Sequence, residues 1–209
     1  MVDRNSQFIA QFGDVRNNTK GMRIELLGQV CSVERGGSPR PIANYITTDS
    51  DGINWIKIGD ADGSRYISST EERIRPEGMK KSRFVRSGDL ILSNSMSFGH
   101  PYILKIDGCI HDGWLVLHFN HDVFNPIYLQ TYLGLPSTYM LFASMAAGGV
   151  VNNLNSEIVK RLPVIIPPIG LQDQFAAFVQ QSDKSKFEIE QAITSIDKLY
   201  RSIIAENLG

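Results

Sequence analysis

Three stretches of this chain carry side chains suited to gripping oxygens, phosphates and base edges. The first is Arg35-Gly36-Gly37-Ser38-Pro39-Arg40. Its two glycines let backbone approach a ligand closely, its serine hydroxyl donates to an oxygen, and Arg35 and Arg40 suit phosphates or guanine edges. The second runs from Arg73 to Arg86 and carries Arg73, Arg75, Lys80, Lys81, Arg83 and Arg86 against a single acid, Glu77. That concentration of charge can follow a phosphate backbone. The third, SNSMSFGHPY, offers Asn94, Ser95, Ser97, His100 and Tyr102: hydroxyls, an amide, an imidazole and a phenol, the groups that contact base edges and phosphates. Each stretch also has a plainer reading, as a tight turn or a solvated loop.

Other chemistries lack the residues to carry them. There is no GxxxxGK loop, no GxGxxG after a strand and no GxSxG elbow, so nucleotide hydrolysis, dinucleotide binding and acyl transfer have no foundation. Pro167-Pro168 lies between Ile165-Ile166 and Ile169-Gly170, without the polar residue before and the aromatic after that an amino-methyltransferase uses on its target base. Asp60 and Asp62 read as a turn, with no further ligands at a metal-binding spacing. His118 and His121 lie three apart in a strand-like sequence, where they face opposite sides, which argues against a metal site. Asp107, His111 and Asp112 remain a nuclease candidate by proximity alone, without the clustered acids and lysine of a metal-dependent nuclease. The chain is read as one that binds rather than catalyses, with no metal and no cofactor of its own.

These loops need elements to hold them. Ser6 to Phe12 forms a short helix ending at Gly13, and Ile24 to Val33 a strand or short helix. Strands are expected at Asn54 to Ile58, Leu90 to Leu92, Ile103 to Ile106, Trp114 to Phe119 and Pro163 to Ile166. Trp55 to Asp60 and Gly88 to Leu92 count as scaffold. Pro126 to Leu133 and Pro136 to Met145 read as helices opened by proline, with Tyr128, Leu129, Tyr132, Leu133, Met140, Leu141 and Met145 as core. Gly148-Gly149 ends that pair, and Asn155 caps a further short helix through Arg161.

From Gly170 to Asn207 the chain has no proline and no further glycine, and as a helix it would run roughly 55 Å. Leu171, Phe175, Phe178, Ile189, Ile193, Ile196, Tyr200 and Ile203, widened by Ala192 and Leu199, repeat at steps of three and four along one face. The stripe breaks at Ser182 and Ser185. Such a stripe wants a partner helix or its own domain to fold against, and its length favours an arm.

The whole chain has 209 residues, 42% hydrophobic and 21% charged, enough for one substantial core and an appendage. No run approaches a membrane span and the polar N-terminus lacks a signal-peptide core, so a cytoplasmic location and no membrane partner are expected. The net charge of -1 argues against nonspecific nucleic-acid binding by bulk charge and leaves room for a local basic patch. Cys31 and Cys109 are expected as buried thiols.

The series LLGQVCSVERGGSPR, NWIKIGDAD, RIRPEGMKKSRFVRSGDLILSNSMSFGHP and GGVVNNLNSEIVKRLPVIIPPIGLQDQF resembles the specificity (S) subunits of type I restriction-modification systems over nearly the whole chain. The resemblance implies a mixed α/β (α+β) fold: a tail at 1–21, a target-recognition domain at 22–168, and a long helix at 169–209 forming a coiled-coil dimerisation arm. It implies a chain that reads one half of a bipartite double-stranded DNA site in the major groove and docks methyltransferase and restriction subunits. S-adenosylmethionine, ATP and magnesium would belong to those partners. The DNA-facing candidates are Arg35, Ser38, Arg40, Lys80, Lys81, Arg83, Asn94, Ser95, Ser97, His100 and Tyr102, the lysines setting phosphate register and Arg40, Asn94 and His100 reading bases. The pairing candidates are Leu171, Phe175, Phe178, Ile189, Ile193, Ile196, Leu199, Tyr200 and Ile203. Family members usually carry two recognition domains and two helices, whereas one of each is found here, so a homodimer reading an interrupted palindrome is expected. The alternative is a partner that pairs with a full-length subunit and modulates its assembly without binding DNA.

Overall fold

Asparagine and proline start the central helices where their chemistry requires. The computed structural model describes residues 4–95, 98–146 and 154–208, so Ser97 and the Gly148-Gly149 pair lie outside the described residues. In chain order the elements are α1 (Arg4–Phe12), β1 (Arg23–Leu26), α2 (Leu27–Val30), β2 (Cys31–Arg35), β3 (Ile46–Thr47), β4 (Ile53–Ile56), β5 (Tyr66–Ile67), β6 (Glu72–Ile74), α3 (Pro76–Met79), β7 (Arg83–Val85), β8 (Leu90–Ser93), β9 (Pro101–Leu104), β10 (Gly108–Ile110), β11 (Trp114–Phe119), α4 (Pro126–Leu133), α5 (Pro136–Ala146), α6 (Ser156–Lys160), β12 (Pro163–Ile166) and α7 (Ile169–Leu208). The Asn125 side chain accepts from Ile127 N at 2.9 Å to cap α4, and Asn155 accepts from Ile158 N at 2.9 Å to cap α6. The segment expected as one strand or helix near residue 24 becomes β1, α2 and β2. There Gln29 accepts from Leu26 N at 3.0 Å and winds one helical turn between the strands.

Two five-stranded sheets stack on one another. The middle sheet has the order β2-β11-β8-β9-β5 and the outer sheet β3-β6-β4-β10-β7, while β1 and β12 form a separate antiparallel pair. Alternation assigns the buried apolar side chains of the middle sheet to one of two cores. Leu90, Leu92, Leu115 and Leu117 face the helices, joining Phe8, Phe12, Tyr128, Tyr132, Phe142 and Phe175. Ile91, Trp114 and Val116 face the outer sheet, joining Ile56, Val85 and Ile110. That double coverage explains why Leu90 to Leu92 is uninterruptedly apolar. On the far face of the outer sheet, Trp55, Ile74 and Cys109 form a small third cluster under Ile42 and Tyr45.

The helical core corrects two expectations. Met140 is 55% exposed rather than core, because α5 turns it outward, whereas Leu141 and Met145 pack partly buried against the core. Helix α7 is also not an arm from its first turn. Phe175 is 1% exposed and sits among Phe8, Phe12 and Tyr128, Leu171 packs against the same cluster, and Val179 is buried. Phe175 therefore belongs to the domain core and not to a pairing face, and Leu171 packs partly buried against that core. Gln172, fully buried, seats this first part: it donates to the Val123 and Pro167 carbonyls at 2.8 and 2.9 Å and accepts from Asn125 N at 3.0 Å. From Lys186 to Ile204 every residue is exposed, so the same helix is folded back over its first turns and an arm thereafter.

Candidate nucleic-acid interface

The turn joining β10 to β11 organises one end of the outer sheet. Asp112 sits at its tip, and its carboxylate accepts from Ser38 Oγ at 2.7 Å and from an Arg40 terminal nitrogen at 3.3 Å. Its backbone carbonyl accepts from Arg35 Nε at 2.9 Å and Asn94 Nδ2 at 3.0 Å. The Ser38 hydroxyl bond, aided by the nearby charge of Arg35, holds Asp112 below the usual carboxylate range. An anion stable at neutral pH thus gathers Ser38 and Arg40 of the GGSPR loop, while the carbonyl of the same residue holds Arg35. The terminal nitrogens of Arg35 make no bond among the described residues, and the Arg40 guanidinium is largely exposed, so both keep donors free for an outside acceptor.

His111 holds this turn from behind. Backbone N–H groups of Gly113 and Ile58 point at its two ring nitrogens, at 2.6 Å to Nδ1 and 3.2 Å to Nε2. A neutral imidazole accepts through one nitrogen, and the shorter contact selects Nδ1. Burial lowers the His111 pKa, which keeps the ring neutral. Gly113 is required here, since a Cβ on it would fall 2.1 Å from the ring.

The double glycine has a structural use of its own. A Cβ on Gly36 would lie 2.1 Å from the His111 carbonyl oxygen, and the Gly36 and Gly37 amides donate to Trp114 O and Ile110 O at 2.9 and 3.1 Å. The close backbone approach is to the protein's own turn. A cleft of about 700 Å³ remains between Ser38, Arg40, Ile42, Trp55, His111 and Asp112.

Part of the basic segment joins this end. A Cβ on Gly37 would lie 3.1 Å from the Lys81 carbonyl, and the Lys81 ammonium bonds Tyr45 Oη at 2.6 Å. Arg83 pairs with Glu34 at 2.7 Å, beside Arg35, and the Lys80 side chain is exposed with no bonded partner among the described residues. The third loop is tied in through Asn94, which is 3% exposed and therefore anchors the loop instead of presenting an edge to solvent. Its backbone N–H donates to Gly113 O at 2.9 Å. Ser95 is half-buried and His100 exposed, the latter held by its backbone across from Ser93. Tyr102 is not brought to this end. It pairs with Ile91 in the middle sheet and sets its ring against Trp114 at 5.7 Å.

Asp107 lies at the other end of β10, accepting from Ser87 N at 2.8 Å, so it does not meet His111 and Asp112. Among the described residues no three His, Cys, Asp or Glu side chains form a group that could hold a metal. Neither is any helix among them long and apolar enough to cross a membrane. Sequence reasoning gave Asp112 no part in this interface and passed over Arg65 entirely, because their partners lie 74 and 118 residues away.

Residues 20–197 match the family model of the type I restriction modification DNA specificity domain. The chain belongs to this specificity-domain family. Its fold is also that of solved family structures. The HsdS subunit from Thermoanaerobacter tengcongensis superimposes with a TM-score of 0.68 at 18% identity, over 90% of this chain and 44% of that one. A chain from a structural study of complex assembly and conformational transition of the type I R-M system gives 0.66 at 17% identity, over 96% and 50%. The type I S subunit from M. genitalium gives 0.56 at 10% identity, over 96% and 56%. At these identities the likeness is one of fold, mixed α/β with a long C-terminal helix. The chain spans about half the length of these relatives.

Proposed function

We propose that this specificity-domain chain reads one half of a bipartite DNA site and, through the outer part of α7, pairs with a second copy and positions methyltransferase and restriction subunits. The observation that carries the reading is the convergence at the β10–β11 turn of Arg35, Ser38 and Arg40 on Asp112, Ser38 and Arg40 through its carboxylate and Arg35 through its backbone carbonyl, with Lys81 alongside. Arginine forks preset by a buried-backed anion suit guanine edges in a major groove, and the lysines suit phosphates. Arg40 and His100 are the base-reading residues; Lys80, Lys81 and Arg83 set register on the backbone.

The test is selection of duplexes from a randomised library by the whole chain, followed by binding at several salt concentrations. A common sequence emerges. Arg40→Ala then weakens the selected duplex about 10–100-fold while relaxing one position, and Lys80→Ala weakens all duplexes alike and lowers the salt slope by about one. Absence of any enriched sequence, with pairing to a full-length subunit retained, would instead favour the partner-modulating reading.

A further inference from the structure

Arg65 precedes β5, the edge strand of the middle sheet, and its side chain is 3% exposed. Its Nε donates to Asp183 Oδ2 at 3.2 Å, and a terminal nitrogen donates to Gln130 Oε1 with Thr131 Oγ1 at 3.4 Å. Gln130, itself buried in α4, donates to the Pro101 carbonyl at 3.1 Å, where β9 begins. One guanidinium thus ties the sheet edge, α4 and α7 together. Its other terminal nitrogen is buried with no partner among the described residues, where its one bonded counter-charge is Asp183. Arg4 adds a like charge nearby, and Lys186 and Glu190 line the same groove. A buried guanidinium keeps its proton, and removing its carboxylate leaves a charge without compensation.

The position along α7 is as informative as the contact. Val179 is the last fully buried apolar residue of the helix, and full exposure begins at Lys186. Asp183 therefore marks the turn at which the helix leaves the domain. The break in the apolar stripe at Ser182 has its reason here, since Ser182 lines the groove over the buried Arg65 cation. Apolar packing from Leu171 to Val179 seats the helix near its start, and a helix seated only there can pivot. Residue 204 lies roughly 30 Å beyond Asp183, so a tilt of about 10° would carry the tip about 5 Å. That exceeds one base-pair step, about 3.4 Å along the DNA axis.

We propose that the Arg65–Asp183 pair fixes the direction in which the arm leaves the reading domain, and so sets the separation and phase of the two DNA half-sites. This rests on the reading of head and arm given above. Arg65 and Asp183 are positioning residues and touch no DNA.

The direct test needs no DNA. Spin labels at Ser32→Cys on β2 and Ser195→Cys on the arm, diluted with unlabelled chain, report the head-to-arm distance. Native Cys31 and Cys109 are buried, with thiols pushed up to about 12 and about 11, and stay unlabelled. Asp183→Asn broadens the distance distribution and displaces its mean by about 5 Å, while Asp183→Glu, which keeps the charge, stays narrow. A distribution for Asp183→Asn that superimposes on the parent overturns the proposal, whatever its thermal midpoint. Should Asp183→Asn not fold, the double change Arg65→Met, Asp183→Leu removes both charges, and the same comparison decides. In a library of half-sites with varied spacers, Asp183→Asn then accepts more spacer lengths with the half-site sequence unchanged. If the parent selects no DNA at all, the DNA reading falls, and the distances still decide the role of the pair.

Discussion

His111 and Asp112 are adjacent in the chain and kept in opposite states by their surroundings. Asp112 is an anion stabilised by a serine hydroxyl, whereas His111 is neutral because burial penalises the imidazolium and two backbone N–H groups face its nitrogens. The histidine has a measurable consequence. Its pKa is lowered in the folded chain from the ordinary 6.5, so below that value the unfolded chain binds the extra proton and the folded chain does not. Its contribution to stability is complete above the unfolded pKa and is lost as pH falls through it toward the lowered folded value. Urea midpoints between about pH 5 and 8 will therefore fall at the acid end in the parent and fall less in His111→Gln. Equal slopes in the two proteins would mean that the ring titrates freely. The expected effect at this position is on the shape of the β10–β11 turn, since His111 supports the carbonyls against which Gly36 packs.

At the scale of elements, α7 is one helix with two employments. Its first turns are core, and Phe175→Ala removes a ring packed edge-on against Phe8 and Phe12, at 5.4 and 5.5 Å between centroids. Denaturant unfolding will show a loss of about 3–5 kcal/mol, whereas Lys198→Ala on the exposed half will stay within about 0.5 kcal/mol. Much of this architecture could be read in the sequence where a local signal exists. Pro126 and Asn125 start α4, Asn155 starts α6, and β11 and β12 fall at their expected residues. Periodicity found the face of α7 but not where that face changes neighbours, because Phe175 and Ile189 look alike in a heptad and differ only in what covers them. Met140 failed for the same reason: α5 is apolar nearly all round, and only packing decides which residues turn out. The candidate loops were legible as loops. What tied them together was not, since the Asp112 carboxylate and the Arg65–Asp183 pair join residues remote in sequence, and no spacing rule links them.

For the whole molecule, the outer half of α7 sets an unusual balance of surface. Ile189, Ile193, Ile196, Leu199, Tyr200 and Ile203 are between 47% and 64% exposed, and five of them, from 189 to 203, alternate steps of four and three as a coiled-coil seam does. A strip of that kind on a monomer would be an aggregation hazard, while two copies laid antiparallel bury it twice over with one self-complementary interface. The copies' heads would then stand at opposite ends of the paired helices, facing two inverted half-sites. The mass of the chain in solution decides this. Ending the chain near Gly170 would remove Phe175 and Val179 from the core and confuse loss of pairing with loss of folding, so the informative truncation ends after Ser185. At micromolar concentration the whole chain will run as a dimer and the truncated chain as a folded monomer. Ile193→Asp with Ile196→Asp will also give the monomer, with the head's unfolding midpoint retained. A whole chain that is monomeric would assign the strip to a different subunit, and the expectation of a palindromic target would go with the dimer that required it.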